Sequence, residues 1–216
     1  MKKFAVVLAG NGVYDGAEIH EATLTLHAIM KNGASYEIFA PDMPQHHVIN
    51  HITGEEMDET RNVLIESARI ARGAIKDLKE YRAIDFDAII FPGGFGVAKN
   101  LSTVAFHGAD AQVNKEVERA VKDTNDYGKP IGALCIAPAM MAKIFADATV
   151  TIGQDADTIE AIEKMGGTHI STTHGDVVYD DKLNLFSTPC YMLDANILEI
   201  GEGAENIVSA MLKVME

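Results

Sequence analysis

Tryptophan is absent, aromatic residues make up 6% of the chain, and 216 residues include only two cysteines. With so few aromatics the core must be aliphatic, drawn from Ala, Val, Ile, Leu and ten Met. The hydrophobic share of 47% is ordinary for packed protein and excludes a disordered chain. Two cysteines are too few for a disulfide framework or a thiolate zinc site. They read as thiols of a reducing compartment, and the expectation is a cytoplasmic protein. No stretch approaches the ~18 consecutive apolar residues of a membrane span. The first apolar run, Phe4 to Ala9, is cut by Gly10-Asn11-Gly12 and lacks the length of a secretory signal. Positive charge is also scarce, with 18 basic residues against 32 acidic ones and a net charge of −14. Phosphate backbones and anionic lipid surfaces repel such a chain, so neither nucleic acid nor membrane is an expected partner. The length suits one domain, 1–216.

What is present alternates. Phe4–Ala9 reads as a strand buried on both faces, followed by a helix over Glu18–Lys31 that closes at Gly33. Tyr36–Ala40 is a second strand. Pro41–Glu59 is a polar excursion, and Asn62–Ala71 is helical. Phe86–Phe91 is a buried strand running into Pro92-Gly93-Gly94-Phe95-Gly96. Asn114–Tyr127 is an amphipathic helix, Ile131–Leu134 a short strand and Ala137–Phe145 a helix. Thr149–Ile152 is a strand and Thr158–Met165 a helix. Val177–Tyr179 and Leu185–Ser187 pair around a turn, and Asn196–Val214 is the last helix. This order predicts an α/β fold, a mainly parallel sheet with helices on both faces. Sites on such sheets form at the carboxyl ends of strands. The loops Gly10–Gly16, Pro92–Gly96 and Leu134–Pro138 are therefore the ones to weigh.

No cofactor is expected. Gly10-Asn11-Gly12-Val13-Tyr14-Asp15 matches a dinucleotide fingerprint at three positions, but Asp15 stands where a small residue is needed and repels a pyrophosphate. There is no Walker sequence. His46, His47 and His51 lie near Glu55, Glu56 and Asp58 but lack the spacing of a zinc-binding helix, and they read as a solvated loop with no metal. Asp85/Asp87 and Asp155/Asp157 flank elements and read as structural. Cys135 differs. It follows a short strand and precedes a helix, the setting of a nucleophile elbow, where helix amides lower a thiol pKa and the Ile136 amide faces an oxyanion. Gly93 and Gly94 present unhindered amides to the same point. Glu21 reaches over it from the first helix, with Glu18 as the competing carboxylate. A protonated Glu beside the sulfur serves as a proton donor or acceptor. His20, Asn11 and Asn100 are weaker candidates for lining the pocket.

Ala9-Gly10 through Gly33, Phe91-Pro92-Gly93-Gly94 and Gly132-Ala133-Leu134-Cys135-Ile136-Ala137-Pro138 resemble the ThiJ/PfpI branch of the class I glutamine-amidotransferase-like superfamily over most of the chain. The strings 12–22, 48–54, 60–66 and 92–101 resemble, more narrowly, its ElbB group of isoprenoid-biosynthesis proteins. The resemblance implies a flavodoxin-like three-layer α/β/α sandwich, a homodimer, Cys135 as nucleophile, Glu21 rather than Glu18 as its carboxylate, and oxyanion amides on Gly94 and Ile136 with Gly93 shaping the turn. It also implies a glutathione-independent glyoxalase that turns a small aldehyde such as glyoxal into the 2-hydroxy acid. Protease-like relatives carry a His where Ile136 stands, and many glyoxalase relatives carry one where Gly153 stands. His174-Gly175-Asp176 only loosely echoes the late His-x-Glu of a glutaminase. Protease and glutaminase chemistry are thus not expected. The rival readings are an oxidative-stress sensor built on a reactive cysteine and an inactive accessory subunit of a biosynthetic partner. Cys190 is expected to be a structural bystander.

Overall fold

The structure is a computed structural model and describes residues 1–215. Its elements run β1 (Lys3–Val7), α1 (Ile19–Lys31), β2 (Ser35–Ala40), α2 (Val63–Ile70), β3 (Ile75–Asp77), β4 (Ala88–Phe91), α3 (Val104–His107), α4 (Lys115–Asp126), β5 (Ile131–Leu134), α5 (Ala137–Ile144), β6 (Thr149–Val150), α6 (Ala156–Lys164), β7 (Thr168–His169), β8 (Val178–Asp180), β9 (Leu185–Thr188) and α7 (Ile197–Lys213). Seven strands form one sheet in the order β3-β2-β1-β4-β5-β9-β8, parallel throughout except for the antiparallel edge pair β8–β9.

The apolar runs explain the layering. In β1 and its continuation, Phe4, Val6 and Leu8 face one side, while Ala5, Val7 and Ala9 face the other. The first side is covered by α1 and α7 through Ala22, Ile29, Ile200, Ala204 and Ile207. The second is covered by α4 and α5 through Val117, Val121, Met140 and Met141, while α6, with Ile162, packs on α5 and β7. Each large aliphatic or aromatic side chain so buried contributes about 1.5–3 kcal/mol. The result is the flavodoxin-like α/β/α sandwich. Gly132 keeps one contact tight, since a Cβ there would lie 2.7 Å from Met211 Sδ of α7.

The sheet differs from the sequence reading in particular places. Thr149–Ile152 does not extend the main sheet. β6 pairs in parallel with β7 in a separate two-stranded sheet. The Thr149 and Thr151 amides donate instead to Asp180 Oδ2 (2.7 Å) and Ser187 Oγ (3.0 Å), so side chains dock this unit where a ladder was expected. The helix placed at Thr158 starts at Ala156, because the Asp155 carboxylate accepts the Thr158 amide at 2.9 Å. The edge strand β3, the π-turn over Val97–Leu101 and the single-turn α3 were not foreseen, being too short to show a period.

The excursion after β2 is an ordered arch and not a free loop. Isolated antiparallel bridges join Pro44 to Asn62 and Ile49 to Glu56. It is stitched to the loop after β1 by the Ile49 amide on Asp15 Oδ2 (2.7 Å) and by the Tyr14 amide on His51 Nε2 (3.2 Å). His51 Nδ1 lies 3.0 Å from the Ile49 carbonyl, which assigns the proton to Nδ1 and leaves Nε2 to accept. The histidines read as solvated thus include one that holds the arch.

Candidate active site

Cys135 leaves β5 with a left-handed backbone, φ 60°, a conformation few side chains adopt. The strand end, the reversal and α5 beginning at Ala137 together form the elbow, with Pro138 in the first turn of the helix. The Cys135 amide donates to the Thr188 carbonyl at 3.0 Å, so the elbow is pinned to β9. The amides of Gly94 and Ile136 both hydrogen-bond to the sulfur. Gly93 must lack a side chain, since a Cβ there would meet Cys135 and stand 2.6 Å from Glu21 Oε2. Gly94 has φ 100° and packs against the backbone of Gly16 and Glu18, which only glycine permits.

Glu21 lies in the first turn of α1 and is fully buried. Its Oε2 accepts the Gly93 amide at 2.8 Å, its Oε1 accepts the Tyr191 amide at 3.2 Å, and its carboxyl is hydrogen-bonded to the Cys135 thiol. Burial, then the Glu18 carboxylate, push its pKa up to about 8 against the pull of these three donors. The Cys135 thiol is held well above its usual range, by burial first and the Glu21 charge second, with the Gly94 and Ile136 amides opposing. The helix amides act as expected, but burial outweighs them. At neutral pH the pair therefore rests as thiol and neutral carboxyl, and its reactive form has lost one proton.

Glu18 is the N-cap of α1, its carboxylate accepting the Glu21 amide at 2.7 Å. Of the weaker candidates, none hydrogen-bonds to Cys135 or the Glu21 carboxyl among the described residues. His20 is exposed, with Nδ1 2.8 Å from the Tyr191 hydroxyl. Asn11 is half-buried in the loop after β1. Asn100 is buried and fully engaged. Its Nδ2 donates to the carbonyls of Ala9 (3.0 Å) and Asp15 (2.9 Å), and its Oδ1 accepts the His46 amide at 2.9 Å. It braces the loops and offers no free group to a ligand. A cleft of about 510 Å³ beside Gln45, His46, Lys99 and Gln112 also borders Asn100, but Cys135 does not line it.

Gly153 has φ 84°, and a Cβ there would lie 2.8 Å from Leu193 and 3.1 Å from Pro189. Those side chains occupy the space an imidazole would need. His174 sits 3.9 Å from Glu199, and Asp176 accepts the Thr173 amide at 2.9 Å, so 174–176 is a surface turn. Sequence reasoning missed Tyr191 and Cys190. The first holds Glu21 through a backbone amide, which no side-chain motif reveals. The second is buried with φ 42°, and its thiol is pushed well up by burial and then by Glu21 and Cys135. Expected as a structural bystander, it lies within electrostatic reach of the Cys135–Glu21 pair.

Fold and site together define a flavodoxin-like protein with a cysteine elbow. No protein-family model matches the chain. It is 46% identical over 222 residues to the human glutamine amidotransferase-like class 1 domain-containing protein 3, mitochondrial, covering 98% of this chain and 83% of the relative. The rat ES1 protein homolog, mitochondrial, is 45% identical, with 98% and 84% covered. The crystal structure of an isoprenoid biosynthesis protein with an amidotransferase-like domain from Ehrlichia chaffeensis superposes with a TM-score of 0.93 at 36% identity, over 100% of both chains. Fission-yeast DJ-1 shares the fold, with a TM-score of 0.60 at 17% identity over 100% of this chain and 92% of that one. The chain belongs to the glutamine amidotransferase-like class 1 (ES1) family and shares its fold with DJ-1. The mitochondrial relatives overturn the expectation of a cytoplasmic location. Reduced thiols, on which that expectation rested, do not separate one reducing compartment from another.

Proposed function

We propose that the protein is a cofactor-free, glyoxalase-type enzyme acting on glyoxal or a similar small 2-oxoaldehyde. The observation that carries this reading is the convergence of the Gly94 and Ile136 amides and the Glu21 carboxyl on the sulfur of Cys135. A residue only 7% exposed accommodates a small electrophile and no peptide. Nothing in the chemistry requires glutathione, because the protein supplies the thiol.

The singly ionised pair starts the reaction. Cys135 sulfur adds to one aldehyde carbon, and the carbonyl π pair becomes an oxyanion facing the two amides. Protonation gives the hemithioacetal. The Glu21 carboxylate removes the C–H proton of that carbon, and the resulting enediol is reprotonated at the neighbouring carbon. One carbon is oxidised and the other reduced, with no external electron acceptor. The product is a thioester, which water cleaves to glycolate and the free thiol.

The test is glyoxal consumption after chelator treatment by wild type, Cys135→Ser and Glu21→Gln. Cys135→Ser falls to background, and Glu21→Gln loses about 10²–10⁴-fold. Wild-type kcat/KM rises as pH passes through about 8, where the pair gives up its first proton, and Glu21→Gln loses that limb. Turnover that survives in Cys135→Ser overturns the proposal.

A further inference from the structure

The proposed reaction leaves one buried thiol unused. Cys135 and Cys190 follow neighbouring parallel strands, β5 and β9, paired at Leu134↔Thr188. The Cys135 amide bonds to the Thr188 carbonyl, so Cys190 is the second residue past that junction. Neighbouring strands run about 4.8 Å apart, and disulfides span Cα separations up to about 6.8 Å. Both cysteines pack in the same core cluster, between the sheet and the α1–α7 layer. One carboxyl joins them: Glu21 binds the Cys135 thiol and also the amide of Tyr191, the residue after Cys190. The Cys190 backbone is left-handed, φ 42°, inside a short turn over 190–192. Its sulfur borders Gly203 of α7, where a Cβ would stand 3.2 Å away, so a side chain at 203 would crowd the sulfur.

We propose that Cys190 is the resolving thiol of Cys135, so that oxidation by a hydroperoxide ends in a Cys135–Cys190 disulfide. The inference rests on the proposed nucleophilic character of Cys135 but not on aldehyde turnover. In the first step the Cys135 thiolate attacks the peroxide. The O–O bond breaks, an S–O bond forms, and the hydroperoxide is reduced to its alcohol, or to water from hydrogen peroxide. In the second step the Cys190 sulfur attacks the sulfenic sulfur. The S–S bond forms, the S–O bond breaks, and hydroxide leaves as water on the Glu21 proton, which the proton shed by Cys190 replaces. Burial decides the partner. With the two residues 7% and 5% exposed, bulky external thiols have poor access, and the neighbouring thiol intercepts the sulfenic acid before a second peroxide drives it to the sulfinic acid.

The test is peptide mapping without reductant after exposure of the full chain to hydrogen peroxide. Wild type is expected to yield a crosslinked 135–190 peptide pair, two hydrogens lighter than the reduced pair and reversed by dithiothreitol. Cys190→Ser and, as a second variant, Cys190→Ala lose the crosslink and accumulate Cys135 sulfinic acid. Cys135→Ser leaves Cys190 an alkylatable thiol. Wild type in which Cys135 gains two oxygens while Cys190 stays alkylatable overturns the inference. So does sulfinic acid formation at the same rate in wild type and Cys190→Ala. Glyoxal turnover of wild type under reducing conditions reports on the aldehyde reaction separately: crosslinking without turnover retires the enzyme proposal and keeps this one, and turnover without crosslinking retires this one alone.

Discussion

A carboxyl with three hydrogen-bond donors would ordinarily be a strong acid, yet Glu21 keeps its proton to about 8. Full burial and the Glu18 charge one turn away outweigh the donors. The linkage has a definite sign. In the unfolded chain the group releases its proton near 4.5, so between 4.5 and about 8 the folded state binds more protons. Stability contributed by this site is full below 4.5 and is lost as pH rises toward 8, with a limiting slope of about 1.4 kcal/mol per pH unit. Urea unfolding of wild type between pH 5.5 and 8 should show this loss, and Glu21→Gln should flatten it. A variant with the wild-type slope would mean that Glu21 folds ionised. Cys135 was legible because the elbow is a local pattern, whereas the residues alone left Glu18 and Glu21 in competition and the resemblance implied Glu21. Cys190 was not, because only the register of two strands that are more than fifty residues apart sets it beside them.

The loops at the carboxyl end of the sheet are braced by one amide side chain. Asn100, in the π-turn over Val97–Leu101, ties the end of β1, the loop before α1 and the arch after β2. Asn100→Ala leaves two carbonyls and one amide without their partner in a buried setting, at about 1–3 kcal/mol for each group that water cannot reach. We expect a drop of about 2–4 kcal/mol in urea unfolding, with hydrogen exchange faster in 10–16 and 43–50. A loss confined to activity, with unchanged stability, would return Asn100 to the role of a pocket residue. At this scale β1, β4, β5 and every helix but the single-turn α3 were legible from apolar runs and from capping residues. β3 and β7 were not, since two or three residues carry no period, and β6 was assigned to the wrong sheet because its partners are side chains of β8 and β9.

Across the whole molecule, the charge of −14 opposes association with polyanions and is indifferent to the neutral dialdehyde proposed as substrate. The surface still carries exposed aromatics. Tyr14 and Phe95 are joined by Lys99, whose ammonium donates to the Tyr14 carbonyl and lies 5.2 Å from the centre of the Phe95 ring. The family resemblance implies a second copy, so sedimentation is expected to give twice 23.3 kDa. A monomeric wild type at high concentration would remove the dimer. The site also has a birth order. Glu21 comes from the helix after β1, and Gly93, Cys135 and Tyr191 from the turns after β4, β5 and β9, the last of which lies against β5. During synthesis, therefore, Cys135 is made well before Thr188, whose carbonyl pins the elbow, and Tyr191, whose amide closes the carboxyl's second side. A nascent chain stalled short of β9 lacks both the carbonyl that pins the elbow and the amide that closes the carboxyl, so the last parallel strand is also the one that completes the site.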